Sequence, residues 1–252
     1  MAKLFENDGH TVEIIPSSDD IPKKLSCNIL VLPIPSLNKN GFLNMTGTRD
    51  ITLEELLSRR SADTYTLACN FEDEEAQVFD INKYEPFVSM NAVPSAEGAI
   101  FEAMKIYPET LFESRVLVIG YGRIGKLIAD RMKGFGAKVS VTARNHKDIL
   151  FARANSLDFI SYDKLDTSLS GFDIIFQTVP QLILDKVRID KINGIIIELA
   201  SKGAGSDISY AESIGKNIVY APALPERYSP ISAGKILYDS IKSILKDKSI
   251  SI

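Results

Sequence analysis

The chain has 252 residues, 45% of them hydrophobic and 25% charged, with a net charge of −4 and a pI near 5.4; that is enough apolar content for one or two proper cores and gives no general attraction to nucleic acid or anionic membrane. Only two cysteines occur, Cys27 and Cys69, which argues against a disulfide framework or a structural metal site and fits a reducing cytoplasm. No run of about 18 apolar residues reads as a membrane span, and the opening "MAKLFENDGH" lacks the apolar stretch of a signal peptide.

Short β-rich runs alternate with helical patterns from end to end, the pattern of α/β layers with parallel sheets. In the first third, "TVEII" (from Thr11), "NILVLPI" (28–34), "TYTLAC" (64–69) and "PFVSM" (86–90) read as strands. "ITLEELLSR" (51–59) reads as a helix, its apolar residues three and four apart. The acidic run "EDEE" (72–75) reads as a solvated helix start, and Cys69 as a structural cysteine. "SAEGAIFEAMKIYPE" (95–109) is the next helix, with Pro94 at its boundary and Ser95 as N-cap. Strands follow at "RVLVIG" (115–120), "AKVSVTA" (137–143), "DFIS" (158–161), "DIIFQTV" (173–179), "GIIIELA" (194–200) and "NIVYA" (217–221). Helices between them include "GKLIADRMKGF" (125–135) and "SYAESIG" (209–215), and the tail "SAGKILYDSIKSILKD" (232–247) is amphipathic.

The chemistry enters at "VLVIGYGRIGK" (116–126). Gly120, Gly122 and Gly125 follow an apolar strand and open a helix, the context in which G-x-G-x-x-G has physical content: a tight turn, a close backbone approach to a pyrophosphate, and close helix–strand packing. The helix N-terminus then offers N–H groups and partial positive charge to the phosphates. Tyr121, Arg123 and Ile124 complete the cofactor-binding turn. The second strand ends in Thr142, Ala143, Arg144 and Asn145, where an Asp or Glu ordinarily holds the ribose of NAD. A guanidinium there matches a 2′-phosphate, so NADP is the expected cofactor; the alternative is a solvated surface arginine. The fold class is therefore α/β: two α/β domains, the second a Rossmann doubly wound parallel sheet, with a cleft between them. The N-terminal domain spans 1–93 and the NADP-binding domain 94–234, and a tail helix (235–252) packs back on the first.

"VPSAEG", "VIGYGRIGK", "VTAR", "QTVP", "ELASKGAGSD" and "APALP" together resemble the dipicolinate synthase family, in its Rossmann, NADP-binding subunit, over most of the chain. The resemblance implies a Rossmann domain binding NADP, a flavoprotein-like second subunit, a role in sporulation, and oxidation of a dihydrodipicolinate-type precursor to pyridine-2,6-dicarboxylate. The chain departs from the family where "ALPERYSPISAG" replaces the usual "GLPG" and "APKTAG": Glu226 stands for a glycine and Ile231 for a lysine. An acid near a dicarboxylate pocket weakens substrate binding by like-charge repulsion.

Ligands in open α/β sheets sit at the carboxyl ends of the strands. "QTVP" resembles the family's cofactor loop, which puts Thr178, Val179 and Pro180 at the nicotinamide ribose, with Ala200 beside them. Lys202, followed by Gly203, is placed to meet a substrate carboxylate. Ser95 and Glu97 lie at an expected helix N-terminus, where Ser95 binds a carboxylate and Glu97 either removes a proton or complements the helix dipole. Pro33 and Ser36 of "LPIPS" form either a carboxylate-binding turn or a proline-stiffened one. The catalytic set is thus Lys202, Glu97 and Ser95. Neither histidine, His10 nor His146, falls where 2-hydroxy-acid dehydrogenases carry theirs. A dicarboxylate substrate and a homo-oligomer are expected, with no nucleic acid, membrane or metal. The competing reading is an NADP-binding sensor or scaffold that has lost or changed its substrate site.

Overall fold

A computed structural model describes residues 1–250, with the side chain of Lys202 outside the description. The backbone divides into two compact units, Met1–Met90 with Gly234–Ile252, and Asn91–Ala233.

In the first unit, α1 (Ala2–Asn7) precedes β1 (Ile29–Val31), α2 (Leu53–Ser58), β2 (Tyr65–Ala68) and β3 (Val78–Asp80). The three strands form a parallel sheet in the order β1-β2-β3. Thr52 caps α2, its hydroxyl accepting the Glu55 N–H at 3.1 Å, the bond an N-cap threonine supplies. Leu67 points into a cluster with Ile81 and Phe87, while its neighbour Ala68 packs with Val78 and Leu56, the alternation that a pleated strand imposes.

The sequence misreads three segments here. The "TVEII" run takes no regular structure: Ile14 is 71% exposed, so its apolar spacing buries nothing. The acidic run 72–75 forms a turn, not a helix; Gln77 closes it at φ +54 and Arg60 donates to the Ala76 carbonyl. "PFVSM" is not a strand but the start of α3 (Glu85–Ile106), which runs through Pro94. Proline removes the bond to the carbonyl four residues back, here that of Met90. Buried alanines on both sides of Pro94, at 92, 96, 99 and 103, keep one face in register, and that packing outweighs the lost bond.

The second unit continues with β4 (Arg115–Ile119), α4 (Arg123–Gly134), β5 (Lys138–Thr142), α5 (His146–Ala154), β6 (Asp158–Phe159), α6 (Leu165–Ser168), β7 (Ile174–Gln177), α7 (Lys186–Asp190), β8 (Ile195–Glu198), α8 (Ile208–Ser213) and β9 (Ile218–Tyr220). Its six strands are all parallel, in the order β6-β5-β4-β7-β8-β9. Counted from the unit's own first strand that is 3-2-1-4-5-6, the doubly wound dinucleotide-binding order. Val116 and Val118 face one core and Leu117 and Ile119 the other, which explains why β4 reads as a continuous apolar run.

Short α9 (Leu224–Tyr228) and long α10 (Pro230–Asp247) close the chain. The buried Glu102 carboxylate of α3 ties α9 down: it accepts from Arg227 at 2.6 Å and from the Tyr228 hydroxyl, and pairs with Lys105 at 3.0 Å. Burial pushes its carboxyl up, but the hydrogen bonds from Tyr228 and Lys105 outweigh that and hold it below the usual glutamate value. Gly98 lies one turn earlier, where a Cβ would come within 3.0 Å of Leu224. In α10, Ile241, Ile244 and Leu245 pack with Leu67 and Phe87 of the first unit. Among the described residues no helix is long and apolar enough to cross a membrane.

Candidate nucleotide-binding site

The register places Thr142, Ile119, Gln177, Glu198 and Tyr220 in one row across the carboxyl edge of the six-stranded sheet. β4 ends there, at the glycine turn. Gly120 has φ +97, and a Cβ on it would come within 2.5 Å of the Thr178 hydroxyl. Gly125 is tighter still, since its Cβ would lie 2.1 Å from the Gly120 carbonyl oxygen. Gly122 caps α4 in extended conformation, and a Cβ there would meet nothing within 4 Å. Two glycines are thus required by the fold itself, and the third leaves open space before a helix N-terminus, an arrangement that fits a pyrophosphate. Tyr121 is buried and Ile124 half-buried in the core beside the turn; Arg123 is exposed at the start of α4.

The polar side chains around the turn mostly serve the backbone. Thr142 is fully buried and its hydroxyl accepts the Gly120 N–H at 3.1 Å, so it fixes the turn. Thr178 donates to the Ile119 carbonyl at 2.9 Å. Asn145 caps α5, accepting the Asp148 N–H at 2.7 Å. Ala143 is buried. Arg144 is exposed; its guanidinium donates to the Gln181 side-chain carbonyl and lies 5.9 Å from the Tyr162 ring centre. Val179 donates its N–H to Gln177 at 2.8 Å, and Pro180 is exposed on the same loop.

After β8, the sequence directs attention to residues 201–203, but the side chain that organises this loop is Glu198. It is fully buried, accepts from the Ala200 N–H at 2.8 Å and from the Ser206 hydroxyl, and burial pushes its carboxyl up against those bonds. Beside it Gln177 donates to the Gly205 carbonyl at 2.9 Å. Gly203 turns the loop at φ +65. Lys202 belongs to this turn, and its side chain, the expected catalytic cation, lies outside the described residues.

Three residues expected in catalysis or substrate binding are engaged within the protein itself. Ser95 is no N-cap: it sits inside α3, nearly buried, and donates to the Asn91 carbonyl at 2.8 Å. Glu97 is likewise mid-helix and pairs with Arg131 at 3.1 Å. The same guanidinium donates to the Leu127 carbonyl at 3.4 Å, so Glu97 is paired against the side of α4. Ser36 is fully buried in the first unit, donating to the Pro33 carbonyl at 2.9 Å and accepting the Cys69 N–H at 2.8 Å. Its hydroxyl braces a turn and has no face for a ligand. Pro33 is half-buried beside it. Among the described residues no group of three or more His, Cys, Asp and Glu gathers to hold a metal.

Residues 91–191 match the family described as D-isomer specific 2-hydroxyacid dehydrogenase, NAD binding domain. With the glycine geometry, this supports a nicotinamide dinucleotide as cofactor. The chain is 32% identical over 161 residues to a dipicolinate synthase subunit of Bacillus subtilis (strain 168), covering 62% of this chain and 54% of that protein. It thus spans about half the length of that curated relative. The crystal structure of the dipicolinate synthase A chain from Bacillus subtilis superposes with a TM-score of 0.78 at 26% identity, covering 92% of this chain and 81% of that one. The corresponding dipicolinate synthase subunit from Bacillus halodurans gives 0.78 at 25%, covering 86% and 79%. The likeness to this dipicolinate synthase subunit therefore holds in sequence and in structure.

Proposed function

We propose that this relative of the Rossmann subunit of dipicolinate synthase is the NADP-binding component of an oxidoreductase. Its substrate is a dihydrodipicolinate-type cyclic dicarboxylate, and a flavoprotein-like second subunit is its partner. The observation that carries the cofactor choice is Arg144, an exposed guanidinium at the end of β5 where a ribose-binding carboxylate would otherwise stand. When bound, the cofactor supplies the hydride acceptor. The chain's residues orient it: the turn from Gly120 to Gly125 takes the pyrophosphate, Arg144 the 2′-phosphate, and the loop from Thr178 to Pro180 with Ala200 the nicotinamide end. Lys202 and Gly203, directly after β8, are assigned to a substrate carboxylate. Oxidation would remove two hydrogens from the substrate, a hydride that a bound nicotinamide would accept and a proton that water would take up.

Calorimetric titration with NADP and NAD tests the cofactor. Arg144→Ala should weaken NADP by about 1.5–3 kcal/mol, the scale of a charge-assisted bond, and leave NAD nearly unchanged; equal affinity of the unmodified chain for both nucleotides would overturn the choice. Dipicolinate formation, with and without the flavoprotein-like second subunit, tests the reaction. The second reading, a sensor or scaffold, is favoured by the Ser36 and Ser95 hydroxyls being occupied internally. NADP binding without product in either setting would move it ahead.

A further inference from the structure

We propose that Gln181 is the positioning residue that sets coenzyme preference, by holding the Arg144 guanidinium ready for a 2′-phosphate. This rests on the NADP reading above. Arg144 follows β5, Tyr162 follows β6 and Gln181 follows β7, and the order β6-β5-β4-β7 sets those strand ends along one edge. An Arg144 N–H donates to the Gln181 Oε1, and the guanidinium carbon lies 5.9 Å from the Tyr162 ring centre. The backbone is held at both ends of the bond: Gln181 donates its own N–H to the Val179 carbonyl at 2.8 Å, and Asn145 caps α5 directly after Arg144.

The chemistry of the partner matters. A long exposed side chain loses rotamer freedom when it grips a ligand, and an orienting contact removes part of that cost beforehand. A carboxylate in that position would also orient the arginine, but would neutralise it and repel an incoming phosphate. An amide oxygen orients without neutralising. A guanidinium has five N–H donors, so the bond to Gln181 leaves others for the ligand. Among the described residues no carboxylate pairs with Arg144.

The test is Gln181→Glu and Gln181→Leu, with NADP and NAD dissociation constants measured by calorimetry at low and high salt and melting curves run alongside. Gln181→Glu should raise the NADP dissociation constant by about tenfold or more and move NAD by less than about twofold, since only the 2′-phosphate meets the new charge. The effect should shrink at high salt. Gln181→Leu, which loses the orienting oxygen but adds no charge, should weaken NADP by about threefold. An unchanged NADP-to-NAD ratio in Gln181→Glu, or an equal loss of both nucleotides, overturns the inference while leaving the NADP reading intact. Equal binding of both nucleotides by the unmodified chain overturns the two together.

Discussion

Gly122 is the glycine of the turn that the protein itself does not require. Gly120 needs its positive φ, and Gly125 would drive a Cβ to 2.1 Å from a backbone oxygen, whereas Gly122 has φ −81 and open space around it. Gly122→Val should therefore be nearly silent in folding and severe in binding. Glycine caps a helix far better than an aliphatic residue, so the change costs about 1 kcal/mol there, and a stiffer unfolded chain offsets about 0.4–1 kcal/mol. The net shift in Tm should stay under about 4 °C. The isopropyl group would stand where backbone N–H groups meet the pyrophosphate. Losing two charge-assisted bonds of about 1.5 kcal/mol each weakens binding by about a hundredfold or more. Gly125→Ala is the contrast: the clashing atom is backbone and cannot rotate away, so overpacking should cost about 3 kcal/mol. Thermal melts and calorimetric titration on both variants separate the effects. Normal nucleotide binding by Gly122→Val, or an unperturbed melt for Gly125→Ala, would refute the geometric reasoning.

The two buried glutamates should respond to pH in opposite directions. Glu102 has a folded pKa below its unfolded value, so its contribution is present above the ordinary carboxylate pKa and lost as pH falls through the lowered value; in urea unfolding, the gap between the parent chain and Glu102→Gln should be full at neutral pH and close in acid. Glu198 is raised by burial, so its contribution is present below the ordinary value and lost as pH rises through the folded one. Glu198→Gln should abolish that loss, and an identical pH–stability curve for variant and parent would show that the carboxyl does not titrate with folding.

The second unit was legible because its signals are local and agree with one another. The central apolar strands, such as "VLVI" (116–119) and "IIFQ" (174–177), are buried on both faces, so their composition carries the assignment without any reference to the rest of the chain. The first unit, and α3, which runs from it into the second, gave weaker signals for physical reasons. β3 is three residues long and follows an acidic turn, and α3 hides its face in small alanines that contribute little to an apolar pattern. Proline ordinarily ends a helix, so Pro94 drew the boundary in the wrong place, and the N-cap role of Ser95 fell with it.

Within the site, what sequence conveyed was identity, and what it could not convey was direction. Thr142, Thr178 and Asn145 are residue types that could meet a ribose, yet each bonds backbone: Thr142 and Thr178 at the end of β4, and Asn145 in the first turn of α5. Glu198 and Gln177 went unremarked because a lone acid or amide at a strand end has no motif; only the register, which sets the two side by side, reveals them as the brace of the loops after β7 and β8. The one local cue was small residues beside them: a Cβ on Gly205 would collide with the Gln177 side chain at 2.6 Å. With so many side chains committed to holding loops, the proposed function leaves nucleotide recognition to backbone N–H groups at the start of α4 and to the guanidinium of Arg144. That division fits a site in which the backbone reads what all dinucleotides share, and a side chain reads the one phosphate that distinguishes them.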